Sequence, residues 1–264
     1  MGYALLTLEK DARGVAFVTL NRPEVHNAFD AALIAELTAV FAALAQDTTV
    51  RLAVLAGAGK SFCAGGDLHW MRSMKNFSRE ENIADSQGLA AMYARLHDFP
   101  KPLIGVVHGA ALGGGSGLAA VCDFVVASAD ARFGFTETRL GILPAVIGPY
   151  AMEKIGISAA RAYFISGMQF SAETAKDIGL VHRVVAAETL AAARDETIAE
   201  FLRAAPGASA NAKALIDRIV SLKGDRKAIT DATIDAIVSA RISDEGQEGM
   251  DALLTKRRAA WVNV

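Results

Sequence analysis

Glu137 is the carboxylate best placed for chemistry. It stands in Arg132-Phe133-Gly134-Phe135-Thr136-Glu137-Thr138-Arg139-Leu140-Gly141, among apolar and glycine neighbours. A carboxyl group in such a setting tends toward a raised pKa and can serve as a general acid or base. The competing expectation is an ion pair with Arg139 or Arg132. Two glycine clusters offer a second kind of chemistry. Gly57, Gly59, Gly65 and Gly66 flank Ser61-Phe62-Cys63-Ala64, and Gly113-Gly114-Gly115-Ser116-Gly117 falls between an apolar strand and a helix. Taken singly, each glycine could mark no more than a tight turn. Two dense clusters between apolar elements also suit backbone that comes close to a ligand. N–H groups exposed there can bind an anion or an oxyanion.

Three familiar motifs nearly match and fail. Gly59-Lys60-Ser61 ends like a phosphate-binding loop, but the glycine required five residues earlier is Val54. The following Phe62–Asp67 opens no convincing helix. Gly114-Gly115-Ser116-Gly117-Leu118 lacks the last glycine of a nucleophile elbow. The dinucleotide fingerprint lacks its third glycine. These misses argue against a nucleotide hydrolase or a serine hydrolase. The histidines are His26, His69, His97, His108 and His182, and no two share a metal-ligand spacing. They read as structural or surface groups, with His69, just past the first glycine cluster, the one to watch. Cys63 and Cys122 cannot build a disulfide scaffold or a four-thiolate site, and they read as small buried thiols.

These groups need elements to hold them. Val15–Leu20 is β-rich and ends at the turn signal Asn21-Arg22-Pro23. Asp30 can cap a helix whose Leu33, Leu37, Val40, Phe41 and Leu44 make one apolar face. Leu52–Leu55, Ile104–Val107 and Phe124–Val126 are apolar strands, the first ended by Gly57-Ala58-Gly59. Helical stretches lie near 79–97 and 116–121. The alternation predicts an α/β layered core over 1–190 with buried strands. Over 191–264 the pattern is helical without a strand. Four apolar stripes, around Ile198, Leu215, Ile234 and Met250, are separated by Pro206, Gly224 and Gly246.

Length and charge agree with one large domain or a domain with an appendage: 264 residues, 52% hydrophobic, net charge −2. Such balance argues against nucleic acid or an anionic membrane as partner. No uncharged apolar run is long enough to span a bilayer, and residues 1–14 do not read as a signal peptide. A cytoplasmic setting is the expectation.

Taken in order, the motifs resemble the enoyl-CoA hydratase/isomerase, or crotonase, family over nearly the whole chain. They are Asn21-Arg22-Pro23 through Asn27-Ala28, Ser61–Leu68, His108–Gly115, Glu137, Leu143-Pro144, Ala175–Val181, Glu248-Gly249-Met250 and Lys256-Arg257. Gly66–Met71 with Glu137–Tyr150 looks most like the bacterial methylglutaconyl-CoA hydratase branch. The resemblance implies a crotonase-like spiral of ββα units with a helical C-terminal oligomerisation region. It implies homotrimers or homohexamers, an acyl-CoA thioester as substrate, and no metal or cofactor beyond that coenzyme A. Carried over residue by residue, it makes Glu137 the acid/base and the backbone N–H groups of Gly66 and Gly114 the oxyanion hole. Ala64, Asp67, Leu68 and Lys256 fall on the coenzyme A side, Lys256 from a neighbouring subunit.

One position departs from the pattern. Well-known hydratases of the family carry a glutamate where this chain has Gly117. The expectation is that Gly117 makes the pocket roomier and less negative, as a branched or carboxylated acyl chain would need. Asp123 or Glu153 could replace the missing group only if the fold brings them near. A double-bond isomerase using Glu137 alone is the alternative activity, and a non-catalytic acyl-CoA- or RNA-binding member a third.

Overall fold

A computed structural model describes residues Gly2–Val262. The chain forms two compact units: one of residues up to Phe99 with Leu103–Arg194, the other of Pro100–Pro102 with the residues from Asp195 on. The first unit opens with β1 (Leu6–Lys10), β2 (Val15–Leu20), α1 (Ala31–Gln46), β3 (Leu52–Gly57), α2 (Leu68–Ser73) and α3 (Arg79–His97). Next come β4 (Leu103–Val107), β5 (Ala110–Leu112), α4 (Gly114–Ala120), β6 (Phe124–Ser128) and β7 (Arg132–Gly134). It continues through α5 (Gly148–Ser166), β8 (Gln169–Ser171), α6 (Ala172–Asp177) and β9 (Arg183–Val185), and α7 (Leu190–Leu202) begins in it.

Among the described residues the main sheet runs β1-β2-β3-β4-β6-β9. Only the β1–β2 pair is antiparallel, Leu6 standing opposite Leu20. Parallel neighbours require crossovers, and α1, α3 and α4 supply the first three, α5 and α6 the one from β6 to β9. Both faces of β4 are covered, so Leu103-Ile104-Gly105-Val106-Val107 is buried throughout. The helix expected after Asp30 is present, with the Asp30 carboxylate accepting from the Leu33 N–H at 3.0 Å. Its buried face is the predicted one with Ile34 added.

A second sheet, β5-β7-β8, is made of three-residue strands. It positions the site, because the glycine triplet leaves β5 directly into α4. Two isolated bridges hold the loop after β3: Cys63 with Ala111 lays it alongside β5, and Phe29 with Gly66 ties it to the entry of α1. That loop does open a helix: the Asp67 carboxylate accepts from the His69 N–H at 2.8 Å and so caps α2. Strand β3 also runs on through Gly57 rather than stopping before it.

In the second unit, α7 is followed by α8 (Pro206–Ser221), α9 (Arg226–Ile242) and α10 (Asp244–Leu254), with no strand among the described residues from Asp195 on. Pro206 starts α8 and Gly224, at φ 84°, lies between α8 and α9. Gly246 does not separate two helices. It sits inside α10, where its N–H donates to the capping Ser243 Oγ at 3.0 Å. Among the described residues no helix is long and apolar enough to cross a membrane.

Candidate active site

The first glycine cluster and the triplet meet because backbone pairing forces them together. The Cys63 N–H donates to Ala110 O, the Leu112 N–H to Cys63 O, and the Asp67 N–H to Phe29 O, all at 2.9–3.0 Å. This ladder leaves donors over in both glycine clusters. Among the described residues no acceptor takes the N–H of Gly66 or of Gly114. Gly113 makes the turn between them possible. Its φ of 52° and ψ of −122° lie where a side chain is strained, and its N–H is tied to Gly134 O at 2.7 Å.

Glu137 reaches the same place from the far side. It lies in a 3₁₀ turn, Thr136–Leu140, anchored by Thr138 Oγ1 donating to Phe164 O at 2.9 Å. A Cβ built on Gly113 would stand 3.2 Å from Glu137 Oε1, so the carboxylate rests on a surface only glycine leaves bare. Glu137 Oε2 is buried and has no hydrogen-bond partner among the described residues. The alternative ion pair with Arg132 or Arg139 is not formed among them. Burial raises the Glu137 pKa above the ordinary carboxylate value, because the charged form loses its water.

Two cavities join at these groups. One, of about 410 Å³, is lined by Ala64, Gly66, Asp67, Leu68, Gly114 and Glu137, with His69 beside them. The other, of about 270 Å³, is mostly apolar and is lined by Phe29, Trp70, Leu89, Tyr93 and Leu143–Ile147, with Asp85 and Ser86 among its few polar groups. Gly66, Met71, Gly114, Glu137 and Ile142 line both. Six of the seven residues singled out from the sequence therefore share one cavity. Lys256 belongs to the second unit, just past α10 at φ 55°.

Asp67 lines the cavity but its carboxylate is already engaged. Burial raises its pKa, yet the N–H groups of His69 and Trp70 and the Arg22 charge outweigh that and hold it below the usual range. Arg22 Nη2 lies 3.2 Å from Asp67 and 3.1 Å from Asp30, so this cluster ties the entry of α1 to the loop that carries Gly66. Four histidines make structural contacts: His26 with Ser61, His97 with Asp98, His108 with Gly59 O and His182 with the Val125 N–H. Cys63 is buried, which pushes its thiol up to about 12. Among the described residues no three potential metal ligands cluster.

The expectation about Gly117 is corrected by packing. Gly117 lines neither cavity. A Cβ there would lie 2.5 Å from Ile147 Cγ2 and 3.1 Å from Tyr93 Cε1. The volume of the missing glutamate is thus filled, not vacated. Neither candidate replacement reaches the cavities. Asp123 accepts from the Leu103 N–H at 2.7 Å, and Glu153 pairs with His97 at 3.5 Å. Sequence reasoning assigned no site role to Tyr93, Asp85 or Ile147, which sit on the cavity wall and lie about twenty or more residues along the chain from either glycine cluster, nor to Trp70, which follows the first cluster closely.

Comparison with known proteins adds the following. Residues 10–263 match the model of the family described as enoyl-CoA hydratase/isomerase. The 2,3-dehydroadipyl-CoA hydratase of Escherichia coli is 33% identical, covering 92% of this chain and 93% of its own. The short-chain-enoyl-CoA hydratase of Clostridium acetobutylicum is 32% identical over 95% of both. The crystal structure of an enoyl-CoA hydratase from Shewanella pealeana superposes with a TM-score of 0.93 at 35% identity, over 98% of this chain and 96% of that one.

Proposed function

Because the chain belongs to the enoyl-CoA hydratase/isomerase family, we propose that it is a hydratase, adding water across the α,β double bond of an enoyl-CoA thioester. The observation that carries this reading is the buried, unpartnered Oε2 of Glu137 at the junction of the two cavities, beside two N–H groups without acceptors. In this reading the thioester oxygen accepts from Gly66 and Gly114. Glu137 takes a proton from water as the water oxygen bonds to the β carbon. The π pair moves to the α carbon, the enolate charge gathers on the held oxygen, and Glu137 returns the proton to the α carbon. One carboxylate closes the cycle, and no cofactor beyond the coenzyme A of the substrate is drawn on. Losing one oxyanion donor costs about 3 kcal/mol in related chemistry.

The coenzyme A side falls to the larger cavity, with Ala64, Asp67 and Leu68 on its wall, and to Lys256 of a neighbouring subunit. The acyl chain enters the smaller one. That cavity offers a carboxylated chain no cation: among the described residues none lining it is Lys, Arg or His, and Asp85 is there instead. We therefore favour an uncharged, short or branched chain over methylglutaconyl-CoA, although the Escherichia coli relative is named for a carboxylated substrate. Isomerisation is the second reading. It is favoured by one observation, that no second carboxylate stands beside Glu137 at the junction among the described residues. A panel of neutral and carboxylated enoyl-CoA thioesters, read by mass spectrometry, separates these. A gain of one water marks the hydratase, and unchanged mass with a moved double bond the isomerase. Binding without either marks a non-catalytic member.

A homotrimer or homohexamer is proposed on the apolar residues of the second unit. Ile242, Leu253 and Leu254 are 75%, 80% and 82% exposed, large apolar side chains that a subunit contact would cover.

A further inference from the structure

The glycine triplet poses a mechanical problem. An oxyanion donor works only if it is held within about 0.5 Å of its target, and consecutive glycines are the least restrained backbone a protein can use. The neighbours of Gly114 are tied down. Gly113 N–H donates to Gly134 O, Ser116 Oγ donates to Ala111 O at 2.6 Å, and the Gly134 N–H donates to Ser116 Oγ at 3.1 Å. Gly114 itself receives one side-chain hydrogen bond among the described residues: Tyr93 Oη donates to Gly114 O at 2.7 Å.

Tyr93 is fully buried on α3 and touches the triplet at more than this one atom. A Cβ on Gly114 would lie 2.8 Å from the same Oη and would collide with the Phe29 ring. Its Cε1 stands over Gly117, and Ile147 closes the other side. Its ring stacks on Tyr150, centroids 6.1 Å apart, and Tyr150 packs on His97 at 5.1 Å. The phenol cannot swing away without opening a hole in this stack. Burial, then the charges of Cys63 and Glu137, raise its pKa well above that of a free tyrosine, so the hydroxyl keeps the proton it donates.

We infer that Tyr93 is a positioning residue for the reaction: its hydroxyl fixes the Gly114 peptide so that the Gly114 N–H meets the thioester oxygen, and its ring with Ile147 fills the volume over Gly117. This rests on the oxyanion role of Gly114 set out above. It gives the chain a different solution to the wall of its site. Where well-known family members place a carboxylate, an aromatic ring and an isoleucine brace the glycine backbone.

The test compares wild type with Tyr93→Phe, which keeps the ring and loses the hydroxyl. A chromophoric cinnamoyl-CoA thioester shifts its absorption to longer wavelength when donors polarise its carbonyl, so the shift reads the donor geometry directly. The expected result is a smaller red shift, a kcat about tenfold lower on crotonyl-CoA, and KM within about twofold. Misplacement by 1 Å costs up to about 100-fold, and a partly retained geometry falls below that limit. Wild-type red shift and kcat in the variant, with only the melting temperature lowered, would overturn the proposal and leave Tyr93 a packing residue. Should Tyr93→Phe not fold, 4-aminophenylalanine at position 93 keeps an N–H donor on the same ring. It is expected to retain the shift, and its loss there would equally overturn the proposal. No red shift in wild type would instead refute the oxyanion role of Gly114 itself.

Discussion

Gly117→Ala tests the packing behind the site in its simplest form. One methyl group is added, and its carbon would lie 2.5 Å from Ile147 Cγ2, 2.9 Å from Ile147 Cβ and 3.1 Å from Tyr93 Cε1. Carbon atoms in contact rest about 3.5–4.0 Å apart, so the closest pair overlaps by about 1 Å. Ile147 is 3% exposed and Tyr93 is fully buried, so neither can yield into solvent. Extra carbon in a filled core costs about 1–3 kcal/mol. In a chain of this size each kcal/mol lowers the melting temperature by about 2–4 °C. The expected drop is therefore about 2–12 °C, read by circular dichroism during heating. Ile147→Ala removes Cγ2, so the double variant should be more stable than the sum of the single effects by about 1 kcal/mol or more. A Gly117→Ala protein that melts within about 1 °C of wild type, with additive singles, would refute the packing account. It would return Gly117 to the role of making room for substrate. Gly117→Glu should correspondingly lose activity on straight and branched substrates alike, rather than gain on the straight ones.

Further outcomes follow from the same contacts. Glu137→Gln should lower kcat about 10²–10⁴-fold while acyl-CoA affinity by calorimetry stays close to wild type. The same change should stabilise the fold near neutral pH. A carboxyl whose pKa is raised on folding binds more protons folded than unfolded, so its contribution falls as pH rises above the ordinary carboxylate value, and the amide has none to lose. The melting-temperature gap between the two proteins should therefore close in acid. Arg22→Ala should cost about 3 kcal/mol, the low end for breaking a buried pair, because Arg22 and Asp67 side chains are 13% and 11% exposed. Asp67 shows the opposite sign: its pKa is lowered on folding, so its stabilisation is present above the ordinary carboxylate value and is lost as pH falls through the folded one. Denaturant titrations of the Arg22→Ala pair at neutral and acid pH would show that gap shrinking in acid. Light scattering at micromolar concentration should give three or six times 27.7 kDa, and a monomer would remove the proposed assembly.

What could be read from the sequence follows the length of each signal. Helix α1 was legible because Asp30 and a continuous apolar face act together, and the main parallel strands because burial on both faces leaves unbroken apolar runs. Strands β5, β7 and β8 have three residues each, too few for any period to register, although they carry the triplet. Helix α2 has six residues and none buried, so only its cap marks it. Helix α5 takes a non-helical turn at Gly156, φ 70°, which breaks its apolar pattern. In the site, Glu137 and the glycine clusters stood out as types in unusual company. Tyr93 did not, since α3 buries only Met92, Tyr93 and Leu96. Ile147 gave no hint that it fills the space over Gly117, because it lies thirty positions further along the chain and only the fold closes that distance.

The central claim is that Glu137, which shares its cavity with two bare N–H groups, adds water to an enoyl-CoA. Its most direct test is incubation of crotonyl-CoA in water labelled with heavy oxygen, with wild type and Glu137→Gln run side by side and the thioester read by mass spectrometry. The account predicts one labelled water gained per thioester with wild type, and little or none with the variant over the same interval. A wild-type product that carries no solvent oxygen, or a variant that takes it up at a comparable rate, would contradict it.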